Sequence, residues 1–198
     1  MWWTCLRLEN LGARFSYVYY KPGGYASDWL TRDTGQPRLV YQLSGISSLG
    51  KPTCLLLLTG FDMARAIQII EFFEPALVIV GVQIVTQFEN HTKIIKQSDS
   101  LRQRAREVRV FELDAMADDR GLVAMENATV GVRSEFNVVG ASLGPKVSAL
   151  ALYQLARTHK EIALAYAPSR EFNPHYSFGI GDMVEGTLTL ERPAEGKS

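Results

Sequence analysis

The sequence predicts an α/β fold with three layers, in which helices cover both faces of a mostly parallel β-sheet. Compact apolar segments alternate with segments of helical periodicity from residue 52 onward. The most apolar segment, "PALVIVGVQIV" (75–85), suits a strand buried on both faces, and it is about half as long as a membrane span. A strand, a helix and this second strand follow one another within residues 53–85, which indicates a right-handed parallel βαβ unit.

Length, charge and cysteine usage limit the protein class. The 198 residues suffice for one substantial core but are few for two independent domains, so we predict a single domain over residues 1–198. Lys and Arg together number 21, as do Asp and Glu, so we expect neither a membrane nor duplex nucleic acid as a partner. Cys5 and Cys54 lack metal-binding spacing and "MWWTCLRLEN" lacks the pattern of a signal peptide, which predicts a cytoplasmic protein.

Residues 1–45 differ in amino-acid composition from the rest of the chain. They are rich in aromatic residues and contain turn signals at 22–24 and 34–37. This pattern predicts a small N-terminal β appendage, built as a hairpin or a short meander. The tail at 192–198 is expected to be frayed.

The regular part of the sequence predicts the remaining elements in turn. Asp62 is expected to cap the first helix, and Pro75 is expected to end it, since proline disfavours helical geometry at the preceding residue. The predicted strands are 53–60, 76–85, 107–116, 136–141, 161–167 and 183–191. The predicted helices are 62–73, 90–105, 118–133 and 146–160, and a long polar loop occupies 168–182. This alternation is typical of a Rossmann-like sandwich.

The loops that follow the strands carry the candidate site, because ligands of open parallel sheets bind at the carboxyl ends of the strands. The turn "GASLGPK" (140–146) combines two glycines, the Ser142 hydroxyl and the Lys146 charge with the start of a helix. Such a turn favours a phosphate, and the alternative is a strand-to-helix connection without a ligand. The candidate ligand residues at this edge are Gly60, Phe61, Asp62, Arg65, Ser142, Leu143, Gly144, Lys146, Arg170, Tyr176 and Asp182.

Other charged residues in these loops have competing interpretations. Asp62 and Arg65 either contact a ligand or form a helix cap and a local ion pair. Arg170 suits phosphate binding and Tyr176 suits stacking on a base, unless the loop is a polar lid with its aromatics in the core. The acids at 112, 114, 118 and 119 more often cap a helix than hold a cation, so we predict no metal and no cofactor.

The same turn also matches the pattern G-x-S-x-G, which in hydrolases presents a nucleophilic serine between a strand and a helix. The alternative function is therefore a serine hydrolase that uses Ser142, His175 and Asp182, although the acid follows the histidine in an order foreign to that fold. A third alternative is a non-catalytic interaction module that docks through its aromatic N-terminal segment.

The turn "GASLGPKVSALALYQLA" (140–156) resembles the ligand-binding turn of the CARF-type Rossmann-like domains of prokaryotic antiviral systems. The segment "CLLLLTGFDMAR" (54–65) is similar to the first ligand loop of those domains. That family senses cyclic oligoadenylates across the axis of a homodimer and signals to an effector. The resemblance implies that Lys146, Ser142 and Gly144 hold phosphates and that the loop from Gly60 to Arg65 holds the nucleoside. It also implies a homodimer and, since no effector segment follows the last predicted strand, a separate effector protein as partner.

Overall fold

The computed structural model describes residues 1–25, 29–60, 62–84 and 101–189. The chain forms two compact units, one of Met1–Ser27 with His175–Ser198 and the other of Asp28–Pro174. We call the first the terminal unit and the second the sheet unit. The prediction of a single domain over residues 1–198 stays a prediction.

Sixteen helices and strands lie in the described part of the chain. The helices are α1 (Trp2–Asn10), α2 (Met63–Phe73), α3 (Leu122–Thr129) and α4 (Lys146–Thr158). The strands are β1 (Arg14–Tyr20), β2 (Gly24–Tyr25), β3 (Thr31–Thr34), β4 (Arg38–Leu39), β5 (Thr53–Leu58), β6 (Leu77–Gln83), β7 (Glu107–Leu113), β8 (Asn137–Ser142), β9 (Ala163–Tyr166), β10 (Ser169–Phe172), β11 (Ser177–Phe178) and β12 (Met183–Thr189).

The sheet unit is built on a six-stranded sheet with the order β4-β9-β8-β5-β6-β7. The five strands from β9 to β7 are parallel, and β4 pairs antiparallel with β9 at one edge. The chain starts the parallel part in the middle at β5, proceeds outward through β6 to β7, and then returns to the other side of β5 at β8. The prediction of an α/β fold with a mostly parallel sheet is confirmed.

The central strands are buried because they are apolar on both faces. Every residue of β6 is buried, as a strand between two covered faces requires. Leu55 and Leu57 of β5 pack in one core cluster with Ala66 and Ile69 of α2. Side chains alternate along a strand, so the intervening residues of the same strands face the other way.

Helix α4 packs on the face opposite to that cluster, through β8. A Cβ built on Gly140 would lie 3.0 Å from Leu152 of α4 and 3.3 Å from Leu164 of β9. Gly140 alternates with Val139, which belongs to the α2 cluster, so Leu152 approaches β8 from the other face. A Cβ at residue 140 would therefore require the Leu152 side chain to shift.

Helix α2 begins and ends as the sequence predicts. Asp62 is its N-cap and accepts a hydrogen bond from the backbone N–H of Arg65 at 3.1 Å. The helix ends at Phe73, and Glu74 adopts a left-handed conformation with φ 44° and ψ 51° before Pro75. Residues 90–100 of the predicted helix at 90–105 fall outside the described residues, and of the described remainder only Leu101 is helical. The predicted frayed tail at 192–198 also lies outside the described residues.

The predicted N-terminal hairpin or meander is wrong. The strands β1, β2, β3 and β4 pair antiparallel with β12, β11, β10 and β9 in that order, and not with one another. Alternating aromatic residues indicate that a segment is a strand, but they do not indicate which distant strand pairs with it. The same pairing corrects the predicted loop at 168–182, which contains β10 and β11. Helix α1 was not predicted.

In the terminal unit, β1 and β12 form a two-stranded ribbon in which Arg14 pairs with Thr189 and Tyr20 with Met183. Two backbone bonds of Lys21 continue it: the Lys21 N–H donates to the Asp182 carbonyl, and the Gly181 N–H donates to the Lys21 carbonyl. Among the helices that the structure describes, none has the length and apolar character needed to cross a membrane.

Candidate functional site

The candidate site lies at the carboxyl ends of β5 and β8, the neighbouring strands where the direction of strand addition reverses. Leu58 pairs with Ser142 at the ends of these strands, and the Leu143 N–H donates to the Leu58 carbonyl at 2.8 Å. The turns that lead into α2 and α4 follow directly. In open α/β sheets, ligands bind in the crevice at such a reversal.

The two turns contact each other backbone to backbone, and this contact requires both glycines. A Cβ built on Gly60 would overlap the carbonyl oxygen of Leu143. A Cβ built on Gly144 would lie 2.9 Å from the carbonyl oxygen of Thr59, closer than real Cβ contacts allow. Packing alone therefore accounts for Gly60 and Gly144, so these glycines do not by themselves indicate a ligand.

Helix α4 starts without a side-chain cap. Pro145 occupies the N-cap position, where Ser, Thr, Asp or Asn would usually accept a hydrogen bond from the first turn. The Ser148 hydroxyl donates to the Pro145 carbonyl at 2.8 Å, and no side chain caps the start of the helix. Lys146 is the first helical residue, and its side chain is exposed. A helix N-terminus with an exposed lysine and no acidic cap attracts anions.

Helix α2 starts at the same edge but already carries a carboxylate. The Asp62 side chain is 5% exposed, forms an ion pair with Arg65 at 3.5 Å, and accepts a hydrogen bond from the Thr31 hydroxyl. Arg65 also donates from Nη2 to the Ala167 carbonyl at 2.7 Å. The cap and the local ion pair are thus both present, and the ligand role of Asp62 and Arg65 stays a prediction. Phe61 lies outside the described residues.

Ser142 ends β8 with its hydroxyl turned into the protein. Its Oγ is buried and has no hydrogen-bond partner among the residues that the structure describes. A nucleophile elbow presents its hydroxyl at the surface and uses the next N–H as an oxyanion donor, whereas here the Leu143 N–H is bonded to Leu58. Ser142 belongs to the sheet unit, and His175 and Asp182 belong to the terminal unit. The hydrolase stays a prediction that the surroundings of Ser142 do not favour.

Gln83 is a polar residue of this edge to which the sequence pattern assigns no role. It ends β6 and is 2% exposed. Its Oε1 accepts a hydrogen bond from the Ala115 N–H at 3.1 Å, while its Nε2 is buried and has no partner within the described part of the chain. A Cβ built on Gly144 would lie 3.6 Å from this Nε2. The signal that identifies Gln83 is a single amide at the carboxyl end of an otherwise apolar buried strand.

The remaining candidate residues lie in other surroundings. Arg170, on β10, is 80% exposed and lies 3.6 Å from Asp33. Asp182 is 85% exposed and lies 3.5 Å from Lys21 in the terminal unit. Tyr176, in the same unit, packs near Tyr25 with 6.3 Å between the ring centroids. Their ligand roles stay predictions.

Tyr176 belongs to a small cluster of phenols in the terminal unit. Burial is the main cause that raises the pKa of Tyr25, and the neighbouring Tyr19 and Tyr176 raise it further. Burial also raises the pKa of Tyr19, and this effect is larger than the lowering of the same pKa by a hydrogen bond with Tyr25. Tyr176 is half-buried in this cluster, whereas Phe172 and Phe178 of the same loop are exposed, so the alternative in which the loop's aromatics lie in the core does not hold for the loop as a whole.

The acids after β7 make local backbone contacts. Asp114 accepts a hydrogen bond from the Met116 N–H at 2.8 Å. Asp119 accepts hydrogen bonds from the N–H groups of Gly121 at 3.0 Å and Val123 at 2.9 Å, so it caps the start of α3. Across residues 1–25, 29–60, 62–84 and 101–189, no group of three or more His, Cys, Asp and Glu side chains is placed to hold a metal ion.

No protein-family model matches the sequence, and a search of the curated proteins also finds no match. Function therefore has to be inferred from the strand order and from the side chains at the carboxyl edge.

We expect Gly60→Ala to destabilise the sheet unit, because the new Cβ meets the Leu143 carbonyl, which is backbone and cannot rotate away. The expected loss is about 1–3 kcal/mol in the free energy of unfolding, typical of overpacking. Gly131→Ala is the matched control, since a Cβ at residue 131 meets nothing within 4 Å. Urea unfolding of both variants measures the difference, and equal stability of the two would contradict the backbone contact between the turns.

Asp62→Asn tests the buried ion pair, because asparagine keeps the capping oxygen but removes the charge that faces Arg65. We expect a loss of about 1.5–3 kcal/mol in the free energy of unfolding. Asp33→Asn is the control, since its pair with Arg170 is exposed at both ends and asparagine tolerates the φ of 49° at this position. A similar small effect of both variants in urea unfolding would show that Asp62 acts only as a cap.

Proposed function

We propose that the sheet unit is a three-layer Rossmann-like domain that binds a nucleotide or another phosphorylated small molecule at the carboxyl edge of its sheet. With β5 counted as the first parallel strand, the order across the sheet is third, second, first, fourth and fifth. This order matches the first five of the six strands of the doubly wound dinucleotide-binding fold. The packing of α2 and α4 on alternate residues of the same strands supports a layer of helices on each face.

The observation that carries the proposal is the uncapped start of α4 at the reversal of strand order. The first-turn N–H groups of a helix and its dipole together favour an anion, equivalent to about half a positive charge at the N-terminus. Lys146 adds a full charge at the same place. The acidic cap at α2 makes the start of that helix unattractive to an anion, so α4 is the start that binds the phosphate.

The alternative without a ligand explains only part of this edge. Close packing of the two turns accounts for Gly60 and Gly144. Proline is common at the start of a helix, so what close packing leaves unexplained is the missing side-chain cap beside the exposed Lys146. Nor does close packing account for the buried, unpartnered Ser142 hydroxyl beside this turn. A phosphate bound here would give these groups a function.

Within this class of ligand, a cyclic oligonucleotide is the more specific candidate. The resemblance of residues 140–156 and 54–65 to CARF-type turns supports it, and the same resemblance supports a homodimer that signals to a separate effector in antiviral defence. In this arrangement Lys146 and the first turn of α4 hold a phosphate, and the Gly60–Arg65 loop lies beside the nucleoside.

A thermal-shift screen tests the proposal with mono-, di- and cyclic oligonucleotides and phosphorylated sugars as ligands, and adenosine as the control without phosphate. A ligand at about 100 times its Kd should stabilise the protein by about 2.7 kcal/mol. We expect Lys146→Ala to weaken binding about tenfold or more, since a charge-assisted contact is lost, and to leave unfolding without ligand unchanged. Lys160→Ala is the matched control, because it removes an exposed lysine beyond the opposite end of α4. If no phosphorylated compound stabilises the protein, or if both lysine variants bind equally well, the assignment fails.

A further inference from the structure

The side chain of Gln83 is held in one orientation by the backbone. Its Oε1 accepts the Ala115 N–H, and a carboxamide presents its nitrogen on the side opposite to its oxygen. The Nε2 group is therefore fixed as a donor, and the two ends of the amide are not interchangeable here. This nitrogen is buried without a partner among the described residues, next to Gly144 in the turn that precedes α4.

Gln83 and Ser142 lie on the same face of the sheet. Val82 of β6 and Ala141 of β8 belong to the core cluster beneath α2, so the residues that follow them face the other side. That side is the one on which Leu152 of α4 approaches Gly140. Gln83 is the last residue of β6 and Ser142 is the last residue of β8, the two strands on either side of β5. Both side chains carry a buried donor without a partner among the described residues, on the face of the sheet where α4 begins.

The strand between them ends in a polar side chain that is satisfied. Thr59 follows β5 and is 3% exposed, and its hydroxyl donates to the Gly81 carbonyl at 2.9 Å. A buried polar side chain at this edge can therefore form a hydrogen bond within the protein. The Thr59 hydroxyl does so, whereas Gln83 Nε2 and Ser142 Oγ have no such partner among the described residues.

We propose that Gln83 Nε2 is a specificity-determining contact that donates a hydrogen bond to a phosphoryl oxygen of the bound ligand, with Ser142 Oγ as a second donor. This inference rests on the proposed function, because it adds the inner contacts of the same site. The start of α4, Lys146 and Gln83 Nε2 offer only donors, so together they select a ligand group that only accepts. A phosphate or phosphodiester oxygen meets this requirement and also carries the negative charge that Lys146 and the helix start attract, whereas the acceptor atoms of a neutral nucleoside carry no such charge.

The direct test observes the Gln83 amide itself. In protein labelled with ¹⁵N-glutamine, the NH₂ resonances of Gln83 are assigned by their loss in Gln83→Met. Adenosine 5′-monophosphate and inorganic phosphate are then titrated into the wild-type protein, with adenosine as the control. We expect both phosphate probes to shift the Gln83 NH₂ resonances in a saturable manner, and adenosine to leave them in place.

Affinity measurements by calorimetry complement the spectra. Gln83→Met removes the donor and should weaken binding of adenosine 5′-monophosphate about tenfold or more. Gln68→Met is the matched control, because Gln68 is a half-buried amide of the same unit whose Nε2 donates to the Gly35 carbonyl at 3.2 Å. We expect its binding to be unchanged.

The two proposals fail in different ways. If the wild-type protein binds neither phosphate probe nor any compound of the thermal-shift screen, the proposed function is overturned. If it binds a probe in a manner that depends on Lys146 while the Gln83 NH₂ resonances stay in place, a bound water or an unused amide occupies this position, and the inference is overturned alone. Should Gln83→Met fail to fold, the wild-type spectra still decide, with the Gln83 NH₂ resonances assigned by triple-resonance experiments that connect the side-chain amide to the backbone of Gln83.

Discussion

The contact between the two glycine turns at the carboxyl edge determines where both central helices begin. Gly60 lies against the Leu143 carbonyl and Gly144 lies against the Thr59 carbonyl, so each turn limits the path of the other. Helices α2 and α4 start within a few residues of these turns. The spacing of the two helix starts, and the position of Gly144 beside the Gln83 amide, therefore depend on the absence of side chains at two residues.

The two helix starts at this edge are electrostatically different. At α2, Asp62 satisfies a first-turn N–H and pairs with Arg65, and both side chains are nearly buried. At α4, Pro145 gives the helix no acceptor and Lys146 adds a positive charge. An anion at α2 would meet the Asp62 carboxylate, whereas an anion at α4 would meet the N-terminal N–H groups of the helix and the Lys146 charge. This contrast makes the edge asymmetric and directs a phosphate to one side of the crevice.

Local patterns in the sequence were sufficient to predict the central part of the fold. Helix α2 and strands β5, β6 and β8 follow from periodicity and apolar runs, because each of these patterns reports the burial of its own segment. The pairing of β1 with β12 does not follow, since alternation gives no information about a partner that lies far away along the chain. The same limit explains why β10 and β11 were predicted as a loop. These strands are short, and each forms by pairing with a distant strand, β10 with β3 and β11 with β2.

For the candidate site, the sequence likewise predicted the position of the turns but not the orientation of individual side chains. The turn at 140–146 and the loop at 59–65 were expected at one edge, and the strand pairing places both there. The burial of the Ser142 hydroxyl was not expected, because the pattern G-x-S-x-G does not specify which way the serine faces. Gln83 was missed because a single amide at the end of an apolar strand carries no motif.

Buried polar atoms without partners in the described residues also occur in Arg65, Arg133 and Gln68, where another atom of the same group is bonded. The same holds for the Gln83 amide, whose oxygen accepts from the Ala115 N–H, so the Gln83 nitrogen is distinguished by its position at the carboxyl edge. Folded proteins pair nearly all buried donors, so a donor without a partner calls for a specific explanation. Gln83 and Ser142 end the strands on either side of β5, beside the start of α4, where a ligand of an open parallel sheet binds. A phosphoryl oxygen at this position would supply the missing acceptor for both groups, which connects the packing of the sheet to the selection of the ligand.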